Sequence, residues 1–105
     1  MNNKLKLLFA ELNKYWCAID SSNANVDNSG YSIIQQKIFE EIKEMNTQMV
    51  IGLIDELSDI QINQIIPMVE EIIKVHPQTK YVFKNINEER NIYCLNNELK
   101  SLGLI

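Results

Sequence analysis

MNNKLKLLFAELNKYWCAI, residues 1–19, sets its apolar side chains at Leu5, Leu8, Phe9, Leu12, Tyr15, Trp16 and Ile19. Steps of three and four residues match the 3.6-residue turn of a helix and put these side chains on one face. Asn2 or Asn3 can cap the start, because a short amide side chain accepts from a backbone N–H left unpaired in the first turn. Such a stripe is stable only when other elements cover it, so the rest of the chain is expected to supply partners.

The next stretch, DSSNANVDNSG over residues 20–30, is rich in turn formers and reads as a surface loop. A second helix is expected from about Ser32, where Ser32 and Gln35 have capping-box spacing. Ile34, Ile38, Ile42 and Met45 mark its apolar face, broadened by Phe39, and it ends near Asn46. Asn46 or Thr47 opens a shorter helix lined by Met49, Val50, Leu53, Ile54 and Leu57, with Gly52 inside it. Ser58 and Gln61 repeat the capping-box spacing and start another, with Ile62, Ile65, Ile66, Val69, Ile72 and Ile73 as its buried positions. Pro67 falls within that pattern and either kinks the helix or begins a new one, since it has no N–H to donate. His76-Pro77 closes the element.

In the tail, Asn87 is read as a cap, with Glu88 and Glu89 at the positive end of a helix dipole, Lys100 at the negative end and Gly103 as the stop. Ile92, Leu95, Leu99 and Leu102 give it a face. A hairpin of residues 80–95 is the alternative. The expected fold is all-α: residues 1–105 as a single compact bundle of about five helices, compatible with HEAT-like helix pairs. Leu8, Leu12, Ile38, Leu53, Ile66 and Leu95 are placed in one core. Trp16 is read as core and its neighbour Tyr15 as core or core rim, with interface anchoring as their alternative role.

Hydrophobic content of 46% and charged content of 23% suit a globular domain. Sixteen Ile and thirteen Asn against three Ala and a single arginine, Arg90, point to an AT-rich coding sequence. The net charge of −4 is concentrated. Residues 21–59 carry seven of the fourteen acidic residues and two of the ten basic ones. Such a centre repels phosphate backbones, so direct nucleic-acid binding is not expected. A helix-turn-helix reading of residues 47–75 fails on the same ground, because Glu70 and Glu71 outnumber Lys74. Cys17 and Cys94 have no metal or redox spacing and, with no signal peptide, are expected to be thiols in a reducing cytoplasm. No apolar run is long enough to span a bilayer.

No constellation carries chemistry, and the chain is not expected to be an enzyme or to need a cofactor. Asn25, Asp27, Ser29, Gly30 and Gln36 fit an EF-hand-like frame, but with one carboxylate and Gln where a bidentate Glu is needed. His76, the only histidine, lacks a nucleophile motif nearby and reads as a helix-ending or surface residue. Asp55 and Asp59 stand four apart with Glu56 beside them, which on one helix would bring the aspartates together; no further ligand set for a metal accompanies them.

One compact domain, an acidic segment with Glu40, Glu41, Glu44, Asp55, Glu56 and Asp59, no export signal and AT-rich coding together resemble the small acidic immunity proteins of bacteria. These neutralise toxins, for example those of contact-dependent growth inhibition. The resemblance is one of overall character along the whole length. It implies a partner-binding surface at those six carboxylates and a cognate toxin, a basic nuclease domain foremost, whose active cleft is covered. A helical regulatory or adaptor domain, or a phage-encoded modulator of a host protein, is the alternative.

Overall fold

Asn2 begins the first helix. Its Oδ1 accepts from the Leu5 N–H at 2.8 Å, and α1 then runs Asn3–Asp20. In the computed structural model the backbone is described for residues 2–20 and 29–105, and the side chains for residues 2–15 and 30–105. Asn25 and Asp27 of the EF-hand-like frame therefore lie outside the described residues, as do the side chains of Ser29, Trp16 and Cys17. The helices that follow are α2 (Ser29–Glu44), α3 (Thr47–Glu56), α4 (Asp59–Ile65), α5 (Val69–Val75), α6 (Thr79–Arg90) and α7 (Tyr93–Ser101), with one 3-10 turn at Ile66–Met68. Among the described residues there is no strand, and no helix is long and apolar enough to cross a membrane. The fold is an all-α bundle.

Local chemistry sets most of the boundaries. Asn46 caps α3, its Oδ1 accepting from the Met49 N–H at 3.0 Å. Ser58 and Gln61 form a reciprocal capping box at the start of α4, with bonds of 3.2 and 2.9 Å. Pro67 sits in the 3-10 turn that divides α4 from α5, where its missing N–H costs least. The chain after α7 turns back at Gly103, whose φ of +74° suits a residue without Cβ. The Leu104 N–H bonds to Leu99 O at 2.9 Å and the Gly103 N–H to Lys100 O at 3.0 Å, closing the end as a Schellman motif.

Two expectations are corrected and one alternative falls away. First, α2 starts at Ser29, a turn before Ser32, so Ser32 is not a cap. Gln35 instead donates through Nε2 to Gln64 O at 2.9 Å, tying α2 to α4. At Gly30 an added Cβ would lie 2.7 Å from Tyr15 Oη, so the Tyr15 ring of α1 packs directly on the first turn of α2. Second, the hairpin of residues 80–95 does not form. Third, Asn87 is not a cap but lies in the last turns of α6, with Glu88 and Glu89 after it. Its Nδ2 donates to Asn96 Oδ1 across the bend at 3.0 Å. The helices part at Asn91, which takes the left-handed conformation (φ 54°) that Asn tolerates better than most residues. Thr79, Phe83 and Ile86 bury one face of α6, the helical period that excludes a strand.

One apolar cluster runs through every helix, from Leu5, Leu8 and Leu12 through Ile38, Ile42, Ile54 and Ile72 to Phe83, Leu95 and Leu99. Of the six residues expected to share the core, five are buried there and Ile66 packs half-buried against it. Gly52 is exposed within α3, and a Cβ added there would meet nothing within 4 Å. Gly52→Ala is accordingly expected to stabilise the fold by about 0.5–1 kcal/mol, since it relieves only the backbone entropy of glycine. A thermal melt checks this: the midpoint should rise by roughly 4 °C.

Candidate functional site

The six carboxylates fall at the two ends of α3. Glu40, Glu41 and Glu44 occupy the last turns of α2, just before the Asn46 cap. Asp55 and Glu56 close α3, and Asp59 opens α4. The sequence reading that paired Asp55 with Asp59 along one helix is corrected. Leu57 has extended backbone (φ −66°, ψ 140°) and Ser58 caps a new helix, so the two aspartates flank a turn. Glu40 and Glu44 do share α2, both exposed.

Their surroundings differ. Glu41 is half-buried and ion-paired with Lys4 of α1. Glu40 accepts from Gln36 Nε2 at 2.9 Å. Asp59 lies 3.5 Å from Arg90 Nη1. Asp55 is exposed, and its backbone carbonyl takes a bond from Arg90 Nη2 at 3.0 Å. Exposed pairs of this kind contribute little to stability, so the carboxylates remain accessible to an outside cation at small cost. Glu70 and Glu71, by contrast, converge on Lys74 at 3.4 Å each. The charges of Glu71 and then Glu70 hold that ammonium above its usual pKa.

Two long-range ties fix the ends of α3. At its start His76, only 5% exposed, bonds through Nε2 to Ile42 O and through Nδ1 to Thr47 Oγ1, both at 2.9 Å. A carbonyl only accepts, so Nε2 carries the proton; in the neutral ring Nδ1 accepts from the Thr47 hydroxyl. The ring is thus a joint between the ends of α2 and α5 and the beginning of α3, as a helix-ending residue, buried rather than at the surface. At the other end Arg90 donates to Asp55 O and Leu57 O. Because Thr79 follows His76 and Arg90 ends α6, α3 and α6 pack side by side and run parallel.

Next to the Asp55–Asp59 turn an open groove of about 670 Å³ separates α1 from α4. Phe9 and Ala10 of α1 and Ile60 of α4 give it an apolar lining; Lys6, Glu56 and Gln64 are among its polar residues. The Gln64 side chain is buried (1% exposed), and its Nε2 meets no hydrogen-bond acceptor among the described residues. Sequence reasoning missed this groove because Gln64 and Ile60 look like ordinary positions on a helix. The one local signal was an exposed isoleucine outside the Ile62, Ile65 and Ile66 stripe. No group of three or more His, Cys, Asp or Glu among the described residues could hold a metal ion.

No family model matches the chain, nor does any curated protein or solved structure.

Proposed function

We propose that the chain is a non-catalytic protein-binding domain of the immunity type, which neutralises a cognate toxin, a basic nuclease domain foremost, by covering its active cleft. The observation that supports this reading best is the set of exposed carboxylates Glu40, Glu44, Asp55, Glu56 and Asp59 at the two ends of α3. Against a basic cleft they would stand where the phosphates of the substrate bind. Opposite charge would speed the encounter and lose influence as salt rises.

The experiment is reversal of that charge. The quadruple variant Glu40→Lys, Glu44→Lys, Asp55→Lys and Asp59→Lys is compared with the native chain for neutralisation of the toxin encoded beside it. The expected result is an association rate lower by about tenfold at low salt, with the native salt dependence removed. Circular dichroism and melting first establish that the variant folds. An unchanged rate at low salt would reduce the acid to a solubility feature.

A further inference from the structure

We infer that the outer face of α3, centred on Gly52 between Met49 and Asp55, receives a basic helix of the partner protein. Side chains of that helix enter the gap left by the missing Cβ, and a lysine or arginine one turn away meets the Asp55 carboxylate. The assignment rests on the reading of the chain as a protein-binding domain and names the element that is bound and the kind of segment that binds it.

The first ground is the glycine. Gln48, Met49, Gly52 and Asp55 recur at steps of three and four residues and are all exposed, so they form one face of α3. A glycine inside a helix costs about 1 kcal/mol relative to alanine. No contact within the chain requires one at Gly52, where a Cβ would meet no atom within 4 Å. What an absent Cβ gives on an exposed helix is room for a second backbone to come close. Gly52 interrupts the rows of side chains along α3, and helices pack by setting a row of one into such a gap of the other. Met49, 57% exposed, stands one turn before the gap, a flexible apolar side chain that can settle against what enters it. The face is also held ready. The His76–Thr47 bond fixes α3 at its start and Arg90 fixes it at its end, so little order has to be imposed on binding.

The second ground is charge, and it comes from the carboxylates that have no cation of their own. Glu41 pairs with Lys4, and Asp59 with Arg90. Glu56 is already engaged within the chain. Asp55, on the Gly52 face, is in no ion pair among the described residues: Arg90 meets its backbone carbonyl and otherwise serves Leu57 O and Asp59. Glu40 and Glu44, in the last turns of α2 that lead into α3, are likewise in no ion pair among the described residues. Lys43 is the one basic residue between positions 40 and 59. Three unpaired carboxylates against one lysine make the approach to α3 acidic. A helix with Lys or Arg beside its apolar residues is matched to it, whereas a second copy of this chain, with net charge −4, brings the same acidic face with it.

The test uses the full chain. A phage library displaying a helical scaffold with one randomised face is panned against it, with counter-selection on Gly52→Gln. Glutamine is a good helix former and its side chain has open space there, so this variant should melt no lower than the native chain. Selected helices should carry Lys or Arg within one turn of a large apolar residue. They should bind Gly52→Gln at least about tenfold more weakly than the native chain, with Gly52→Ala in between, while both variants keep or raise the melting temperature. A glycine with only a structural role gives no such opposition between stability and affinity. Asp55→Asn should weaken the same helices by about threefold or more at low salt and by less at high salt. Glu70→Gln, whose carboxylate already faces Lys74, should leave them unaffected. In isotope-labelled protein the helices should move the backbone signals of Met49, Gly52 and Asp55. The assignment is overturned by helices that bind Gly52→Gln equally well, by signals that move only on other elements, by selected helices without Lys or Arg, or by no enrichment. It is also overturned if the free chain self-associates and Gly52→Gln makes it monomeric, since a second copy would then be the occupant. If the toxin encoded beside the chain is neutralised equally by the native chain and Gly52→Gln, this site fails while the proposed function stands. If helices bind at Gly52 as expected but the chain does not neutralise that toxin, the site stands and the immunity reading fails.

Discussion

His76→Leu is expected to destabilise the fold by about 3 kcal/mol, lowering the thermal midpoint by roughly 15 °C. Leucine fills much of the same volume, so the loss comes from polar atoms rather than from a cavity. The Ile42 carbonyl loses the imidazole donor and keeps only the longer bond from the Met45 N–H, 3.2 Å. The Thr47 hydroxyl loses its ring partner in a part-buried site. Three helix ends lose their common tie at once. Urea unfolding of the native chain, His76→Leu, Thr47→Val and the double variant measures the coupling. The pair should interact by about 1 kcal/mol or more, because the residues share one bond. Additive effects with a loss below about 1 kcal/mol would show that the joint is dispensable.

Arg90→Met is expected to cost about 2 kcal/mol, and Arg90→Lys to recover little of it. The guanidinium serves two carbonyls that terminate α3 and one aspartate that begins α4. Those carbonyls have no onward helix to receive them, so a cationic donor there both fills their valence and opposes the negative end of the α3 dipole. A lysine ammonium can approach one of them but has no planar fork to span both. The measurement is denaturant unfolding of both variants. Equal stability of Arg90→Lys and native protein would assign the effect to charge alone.

These ties also mark where reading the sequence stopped. The amphipathic stripe of Leu5, Leu8, Phe9 and Leu12, the Asn46 cap, the Ser58–Gln61 box and the break at Pro67 were legible because each depends on residues within one or two turns. Ser32 and Gln35 had the same spacing as Ser58 and Gln61, yet Gln35 was drawn away by a carbonyl 29 residues distant. Local spacing cannot reveal such a competitor. Asn87 and the two glutamates after it suit a helix start as well as a helix end. The choice was made by Phe83 and Ile86, which are buried by elements far away in sequence. Of the candidate site, the exposed carboxylates could be read off the charge distribution. Their division between the ends of α3 depended on the extended backbone at Leu57, and the groove beside them on the meeting of α1 with α4.

The break at Pro67 reaches beyond geometry. It leaves α4 and α5 with seven residues each, about two turns, whereas a helix of fewer than roughly a dozen residues is marginal in water. Neither can persist once it leaves its neighbours. Fraying an end of either helix and detaching Ile62, Ile65 or Ile72 from the core are therefore one event rather than two. The amide hydrogens along this stretch have no inexpensive local route to exchange with solvent, and their exchange reports the opening of the bundle as a cooperative whole.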